Sequence, residues 1–281
     1  MDSLRPIDLH FGSRPRAIGA YLVETDDGPA LFDTGPTSTL PALEEGLSER
    51  GTSLAELRHV LLSHIHLDHA GAVGTIVRAH PHLTVWVSEA GAPHLVDPSR
   101  LERSARRLYG EAFDPLWGEL AAVPGANVRI AEGDVLGWEA FPTVGHASHH
   151  VSYAREGTVL AGDAAGVRLP GSAYVLPVSP PPDIDVEAWH ATVEAIRARR
   201  PERLALIHFG VHEDVAEHLD RLGRELDVWA GRVRDGLDVD AFVAVARADA
   251  GAEGDTYDSV APFWQSWHGL RRYWDTRQQA E

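Results

Sequence analysis

The segment Ser63-His64-Ile65-His66-Leu67-Asp68-His69-Ala70-Gly71 constrains this chain more than any other. It puts three histidines and one aspartate within six residues, directly after the short strand pattern His59–Ser63 and before the small apolar run Ala70–Val73. Apolar flanks imply burial, and burying four such polar groups with nothing to bind them is costly. On an extended strand end, alternation points His64 and His66 the same way, as two ligands of one cation require. If the chain then turns into a helix, Asp68 and His69 can face a second cation. Neutral imidazole and carboxylate suit zinc, iron or manganese. The bland alternative is a solvated histidine-rich turn that binds stray nickel, and the apolar flanks count against it.

Composition narrows the chemistry further. The 281 residues carry 25 Lys+Arg against 42 Asp+Glu, a formal charge of −17, and all 25 cations are arginine. There is no cysteine. Schiff-base and phosphate-loop lysines, cysteine nucleophiles, thiolate metal sites and disulfides are therefore excluded. The acidic balance argues against nucleic acid, which needs a basic footprint, and against anionic membrane surfaces. A hydrophobic fraction of 44% with 24% charged residues reads as globular protein. No apolar leader opens the chain and no run of about 18 apolar residues could span a bilayer, so a cytoplasmic location is expected. The 16 histidines exceed what a plain scaffold needs.

Patterning predicts strands and helices in alternation. Ala17–Glu24 and Pro29–Asp33 read as a hairpin turning at Asp26-Asp27-Gly28. Further strands are expected at Leu83–Ser88, Val128–Ile130, Leu136–Thr143, Val151–Arg155, Thr158–Ala161 and Leu204–His208. Helices are expected at Leu40–Arg50, Gly74–Ala79 and Val186–Arg199, with a broken helical stretch over Arg100–Ala122. Pro170–Asp185, with Pro180-Pro181-Pro182, must be irregular. From Val211 onward only helical patterns appear. The expected organisation is a single domain over residues 1–281, with a core over about 15–212 and a helical extension over 213–281.

H-x-H-x-D-H after a strand resembles the signature of the metallo-β-lactamase superfamily, and other markers follow in order. Leu31-Phe32-Asp33-Thr34-Gly35 resembles its early strand-end aspartate motif, and Gly145-His146-Ala147-Ser148-His149-His150 its G-H-x-x-x-H loop. Ala161-Gly162-Asp163-Ala164 resembles its bridging-aspartate strand end, and Leu206-Ile207-His208-Phe209-Gly210 its final histidine. The resemblance implies an α/β fold, a four-layer αββα sandwich of two mixed sheets with helices outside. Carried over by position, it assigns His64, His66 and His146 to one divalent ion and Asp68, His69 and His208 to a second, with Asp163 bridging. Asp33 and His150 are read as residues that orient ligands from behind, and His149 and His150 are the competitors of His146. Taken singly, Asp163 could be a turn aspartate and His208 a buried strand-end histidine; the ordered set lifts them.

The resemblance further implies a hydrolase in which a metal-bridging hydroxide cleaves an ester, thioester or lactone bond of a small molecule. Asp68 and Asp163 would be its catalytic carboxylates, and the ions zinc, with iron or manganese as the other choices. Asp163, the missing cysteine and the missing signal peptide speak against a true β-lactamase and for a glyoxalase II-like or lactonase-like branch. A rival is a mononuclear non-haem iron dioxygenase of the persulfide type, held by His64, His146 and Asp163; a third reading is a metal-stabilised binding protein. Candidate substrate contacts are Arg107 and Tyr109, in a stretch that reads equally as a lid or a solvated amphipathic helix. Tyr174 is another, as an oxyanion donor or merely a loop-packing aromatic. The aromatic residues Phe263, Trp264, Trp267, Tyr273 and Trp274 recur at helical spacing and read as core or homodimer packing.

Overall fold

Continuous apolar runs become parallel strands in a computed structural model that describes residues 4–279. The strands fall into two mixed six-stranded sheets. The chain divides into two compact units, one built from the chain up to Pro142 with His149–Glu156, the other from Thr143–Ser148 with the chain from Gly157 onward.

In the first unit, β1 (Ile7–Asp8), β2 (Gly19–Thr25), β3 (Gly28–Phe32), β4 (His59–Leu61), β5 (Thr84–Val87) and β6 (Val128–Ile130) form one sheet in that order. β1–β2 and β2–β3 pair antiparallel; the remaining neighbours are parallel. Parallel neighbours need crossovers. These are α1 (Leu40–Ser48), then α2 (Leu67–Ala70) with α3 (Val73–Ala79), then α4 (Ala92–Val96), α5 (Ser99–Tyr109) and α6 (Phe113–Trp117). Ala30, Leu31, Phe32, Val60 and Leu61 are fully buried, as strands covered on both faces require.

The same unit holds the antiparallel meander β7 (Gly133–Val135), β8 (Trp138–Pro142) and β9 (Val151–Arg155). It packs on the first sheet through Tyr153, whose ring meets Phe32 edge-on at 5.9 Å. The Tyr153 hydroxyl donates to the Leu62 carbonyl at 3.0 Å, and the Val151 N–H to the Ser63 carbonyl at 2.8 Å. The chain just past β4 is thereby pinned from behind.

In the second unit, β10 (Thr158–Leu160) and β11 (Arg203–Leu206) are parallel and joined through α7 (Val186–Ala198), and β12 (Gly210–His212) returns antiparallel to β11. α7 begins where the Asp185 carboxylate accepts the Ala188 N–H at 2.9 Å, and Pro201 lies just beyond its end. The extension is α8 (Val215–Arg234), α9 (Val239–Asp249), α10 (Gly254–Val260) and α11 (Phe263–Gln278). α8 buries His218, Leu219, Leu222, Leu226, Trp229 and Val233 along one stripe. Trp229 meets Phe242 and Phe263 edge-on at 5.0 and 5.6 Å, and each such buried aromatic contributes about 2–3 kcal/mol. Of the C-terminal aromatics, Phe263 and Tyr273 are core, while Trp264, Trp267 and Trp274 are half-buried.

The fold departs from the sequence pattern where elements are short. β1, β7 and α4 have two, three and five residues, too few for a period to register. β12 replaces the start of the expected helix from Val211, because Gly210 turns back at φ +95°. The strand expected to reach His208 ends at Leu206, leaving His208 in the turn. The helical stretch expected to reach Ala122 stops at Trp117, where Gly118 takes φ +70°. Pro115 sits in the first turn of α6, where no N–H bond is lost. Among the described residues, no helix is long and apolar enough to cross a membrane.

Candidate metal centre

In the first unit, the chain leaving β4 continues to His64 and His66 and then closes into the single turn of α2, which carries Asp68 and His69. His64 and His69 are fully buried, His66 and Asp68 half-buried. Asp33, at the end of the neighbouring strand β3, organises them from a left-handed φ of +53°, which aspartate tolerates better than most residues. Its Oδ1 accepts the Ser63 N–H at 2.7 Å, and its Oδ2 accepts the Ser63 hydroxyl at 2.7 Å and His69 Nδ1–H at 2.8 Å. The Ser63 hydroxyl has one proton, already given to Asp33. Toward His64 Nδ1, 3.0 Å away, it is therefore the acceptor. Hydrogen-bond logic thus assigns both imidazoles a proton at Nδ1 and a lone pair at Nε2. His64 Nε2 lies 2.9 Å from His66 Nδ1, and His69 Nε2 lies 3.8 Å from Asp68 Oδ2. Buried His150 stacks on His64 at 4.8 Å, and His149 stands edge-on to His66 at 5.4 Å.

In the second unit, Asp163 and His208 follow the ends of the parallel neighbours β10 and β11. His146 is held by its own loop. His146 Nδ1 lies 2.7 Å from the Val178 carbonyl, which only accepts, so the proton sits at Nδ1 and the lone pair at Nε2. Gly145 sits at φ +135° with Trp189 of α7 so close that a Cβ would lie 2.4 Å from its Cα. The Trp189 ring stands edge-on to His146 at 5.7 Å, and its indole N–H donates to the Ala164 carbonyl at 2.8 Å. Asp163 turns Oδ2 to within 3.4 Å of His146 Nε2 and Oδ1 to within 3.6 Å of His208 Nε2.

These donors fit a cation. A bare imidazole nitrogen facing a carboxylate oxygen is repulsive unless a proton or metal ion satisfies both. Separations of 3.4 and 3.6 Å exceed the length of about 2.7–2.9 Å of a charge-assisted N–H···O bond. They approach the edge of about 3.3 Å between two ligand atoms each about 2.0–2.1 Å from a shared tetrahedral ion. Nitrogen and oxygen donors without sulfur suit zinc, iron or manganese.

The remaining sequence candidates have other surroundings. Leu67, between His66 and Asp68, packs in one apolar cluster with Ala105, Phe113 and Trp117, with Tyr109 against it. The 99–117 segment is therefore anchored on the histidine turn by its apolar face. Tyr109 meets Trp117 edge-on at 5.2 Å, and Arg107 is exposed. Tyr174 turns its ring edge-on to Tyr257 at 5.2 Å, and burial raises its hydroxyl pKa far above that of a free phenol. Those are the surroundings of the loop-packing aromatic that the sequence also allowed. Sequence reasoning missed the Ser63 hydroxyl, the Val178 carbonyl and Trp189. Ser63 was legible as a hydroxyl beside a histidine, whereas Val178 acts through its backbone and leaves no signal.

Imidazoles and carboxylates that follow strand ends in each unit are the donor types that suit divalent metal ions in an α/β protein. The chain belongs to the metallo-beta-lactamase superfamily, whose family profile matches residues 14–208. It is 30% identical over 159 residues to the uncharacterized protein YobT of Bacillus subtilis, covering 54% of this chain and 63% of that protein. It is 28% identical over 161 residues to an N-acyl homoserine lactonase of a Bacillus species, covering 48% and 56%. The chain thus spans less than two thirds of the length of either relative. The crystal structure of ST1585 from Sulfolobus tokodaii shares the fold, with a TM-score of 0.62 at 19% identity over 96% of this chain and 97% of that one.

Proposed function

We propose that this chain is a metal-dependent hydrolase acting on an ester, thioester or lactone bond of a small molecule, with two divalent ions, zinc before iron or manganese. The supporting observation is Asp163, whose two oxygens turn toward two different imidazoles, the posture of a carboxylate shared by two cations. In this reading His64, His66 and His146 hold one ion, Asp68, His69 and His208 the other, and Asp163 both. Ions held there would supply activated water near neutral pH. Asp33, directly for His69 and through Ser63 for His64, and the Val178 carbonyl for His146 keep these protons at Nδ1, so the three imidazoles present their Nε2 lone pairs without rearrangement. Asp68, half-buried, would orient the attacking water or pass a proton to the leaving group. His150 backs the His64 ring. Arg107 and Tyr109 are the substrate contacts to test first, and Tyr174 the weaker one. The net charge of −17 favours a small molecule over nucleic acid or a membrane as partner.

The lactonase relative supports including lactones among the substrates. The test is elemental mass spectrometry on protein purified without chelator or nickel affinity, followed by an ester, thioester and lactone panel. About two ions per chain are expected, and hydrolysis that disappears in Asp163→Ala. One iron per chain with oxygen uptake would replace this reading with the mononuclear dioxygenase, and protein that takes up no metal would end both.

A further inference from the structure

A buried cation lies in the second unit that the hydrolytic reading does not use. Arg168 is only 9% exposed. Its Nε donates to the Ser172 carbonyl at 2.8 Å, and its Nη1 to Asp214 Oδ1 at 2.7 Å. Nη1 also lies 3.3 Å from His218 Nδ1. His218 donates its Nε2–H to the Ala165 carbonyl at 2.7 Å, which leaves Nδ1 to accept from Arg168. Burial pushes the His218 pKa down to about 4, so the ring is neutral and Asp214 is the ion-pair partner of the guanidinium. Arg168 therefore grips the start of α8 at two points one turn apart.

Its main chain grips something else. The Arg168 N–H donates to the His208 carbonyl at 2.7 Å, and the Phe209 N–H to the Arg168 carbonyl at 3.2 Å. His208 lies past Leu206, the last residue of β11, in the turn before β12. Filling this space needs no charge, since well-packed apolar groups commonly replace buried ion pairs without loss of stability. A guanidinium with fixed, forked donors instead specifies direction.

We infer that Arg168 is a positioning residue for His208. It ties the turn that carries this imidazole to the first turn of α8, and so sets the affinity for the ion that His208 holds. The inference rests on the ligand assignment proposed above. It predicts an asymmetric defect: the ion at Asp68, His69 and His208 weakens, while the ion at His64, His66 and His146 stays.

The experiment uses the full chain with Arg168→Met, Arg168→Lys and Asp214→Asn. Stepwise zinc affinities are read by competition with a chromophoric chelator, and cobalt occupancy by its absorption spectrum. Melting of the metal-free protein reports on the fold. Arg168→Met and Asp214→Asn should keep one tight ion and bind the second about 10- to 100-fold more weakly, the usual effect of losing a group behind a ligand. Arg168→Lys, which keeps the charge without the fork, should recover part of that loss. If Arg168→Met fails to fold, Asp214→Asn decides, because the Asp214 side chain is 39% exposed. A folded variant that binds both ions as the parent does, or loses both in parallel, overturns the inference. A parent chain that binds fewer than two ions instead overturns the ligand assignment beneath it.

Discussion

Asp33→Asn changes one atom at a fully buried position and reverses a chain of hydrogen bonds. An asparagine must keep its oxygen toward the Ser63 N–H, because the flipped amide would set two donors 2.7 Å apart. Its NH2 then faces Ser63 Oγ and His69 Nδ1, at 2.7 and 2.8 Å in the parent, and both must become acceptors. His69 moves its proton to Nε2. The Ser63 hydroxyl, released from Asp33, turns to His64 Nδ1 at 3.0 Å and moves that imidazole's proton to Nε2 as well. Two candidate ligands lose their lone pairs while volume and packing stay the same. Restoring each tautomer for metal binding costs one mismatched buried hydrogen bond, about 1–3 kcal/mol. Two of them sum to about 2–6 kcal/mol, roughly a 30-fold to 10⁴-fold loss of metal affinity. The metal-free protein should lose less than the metal affinity does, since the new amide keeps the volume and still meets the Ser63 N–H, Ser63 Oγ and His69 Nδ1. Chelator competition at pH 8 measures the affinity, and nitrogen NMR of the imidazoles reads the tautomers. Parent-like affinity, or Nδ1–H signals retained at both rings, would refute the argument.

Two further outcomes can be checked without a substrate. His218 has a folded pKa of about 4 against an ordinary 6.5, so the unfolded chain binds more protons between those values. Stability therefore rises with pH across that window and is lost as pH falls through it, by about 2 kcal/mol between pH 8 and pH 5. His218→Gln should flatten the pH slope of metal-free melting by that amount, and an unchanged slope would show that the ring is not held neutral. Gly145→Ala sets a Cβ 2.4 Å from the Trp189 Cα at φ +135°, a clash with backbone that no rotamer relieves. It should cost more than about 3 kcal/mol in denaturant unfolding, and a parent-like midpoint would mean that the loop and α7 relax apart.

What could be read from the sequence follows from how the chemistry is distributed along it. His64, His66, Asp68 and His69 are legible because they are contiguous and flanked by apolar residues. The parallel strands are legible because burial on both faces removes polar residues from the run. Asp163 and His208 stand alone in their neighbourhoods, and only their order among the other motifs marks them. Arg168 reads as any surface arginine, since nothing local shows that Asp214 and His218 surround it. Tyr174 is ambiguous because a ring in a proline-rich loop can face either way, and its direction depends on Tyr257, far along the chain. β12 is lost to the helical pattern because a three-residue strand that follows one glycine has no period.

The proline-rich segment and the helical extension carry none of the candidate metal ligands, yet hydrogen bonds tie them to His146. The tautomers of His64 and His69 both trace back to one carboxylate, Asp33, and so they must change together. The tautomer of His146 depends instead on a neutral carbonyl in the irregular Pro170–Asp185 segment. That carbonyl needs its own support. The neighbouring Ser179 N–H donates to Ser266 Oγ of α11 at 3.0 Å, and α11 approaches so closely that a Cβ on Gly269 would lie 1.9 Å from the Ser179 carbonyl oxygen. The extension thus buttresses the loop that sets the His146 proton, whereas the first unit sets its own protons from β3. It follows that Asp33→Asn should leave the His146 Nδ1–H signal untouched, giving the NMR experiment an internal control. Ser266→Ala should disturb that signal and spare His64 and His69. If one substitution moved all three imidazoles together, the two units would not set their ligands independently, and the chain of causes traced from Asp33 and from Val178 would be wrong.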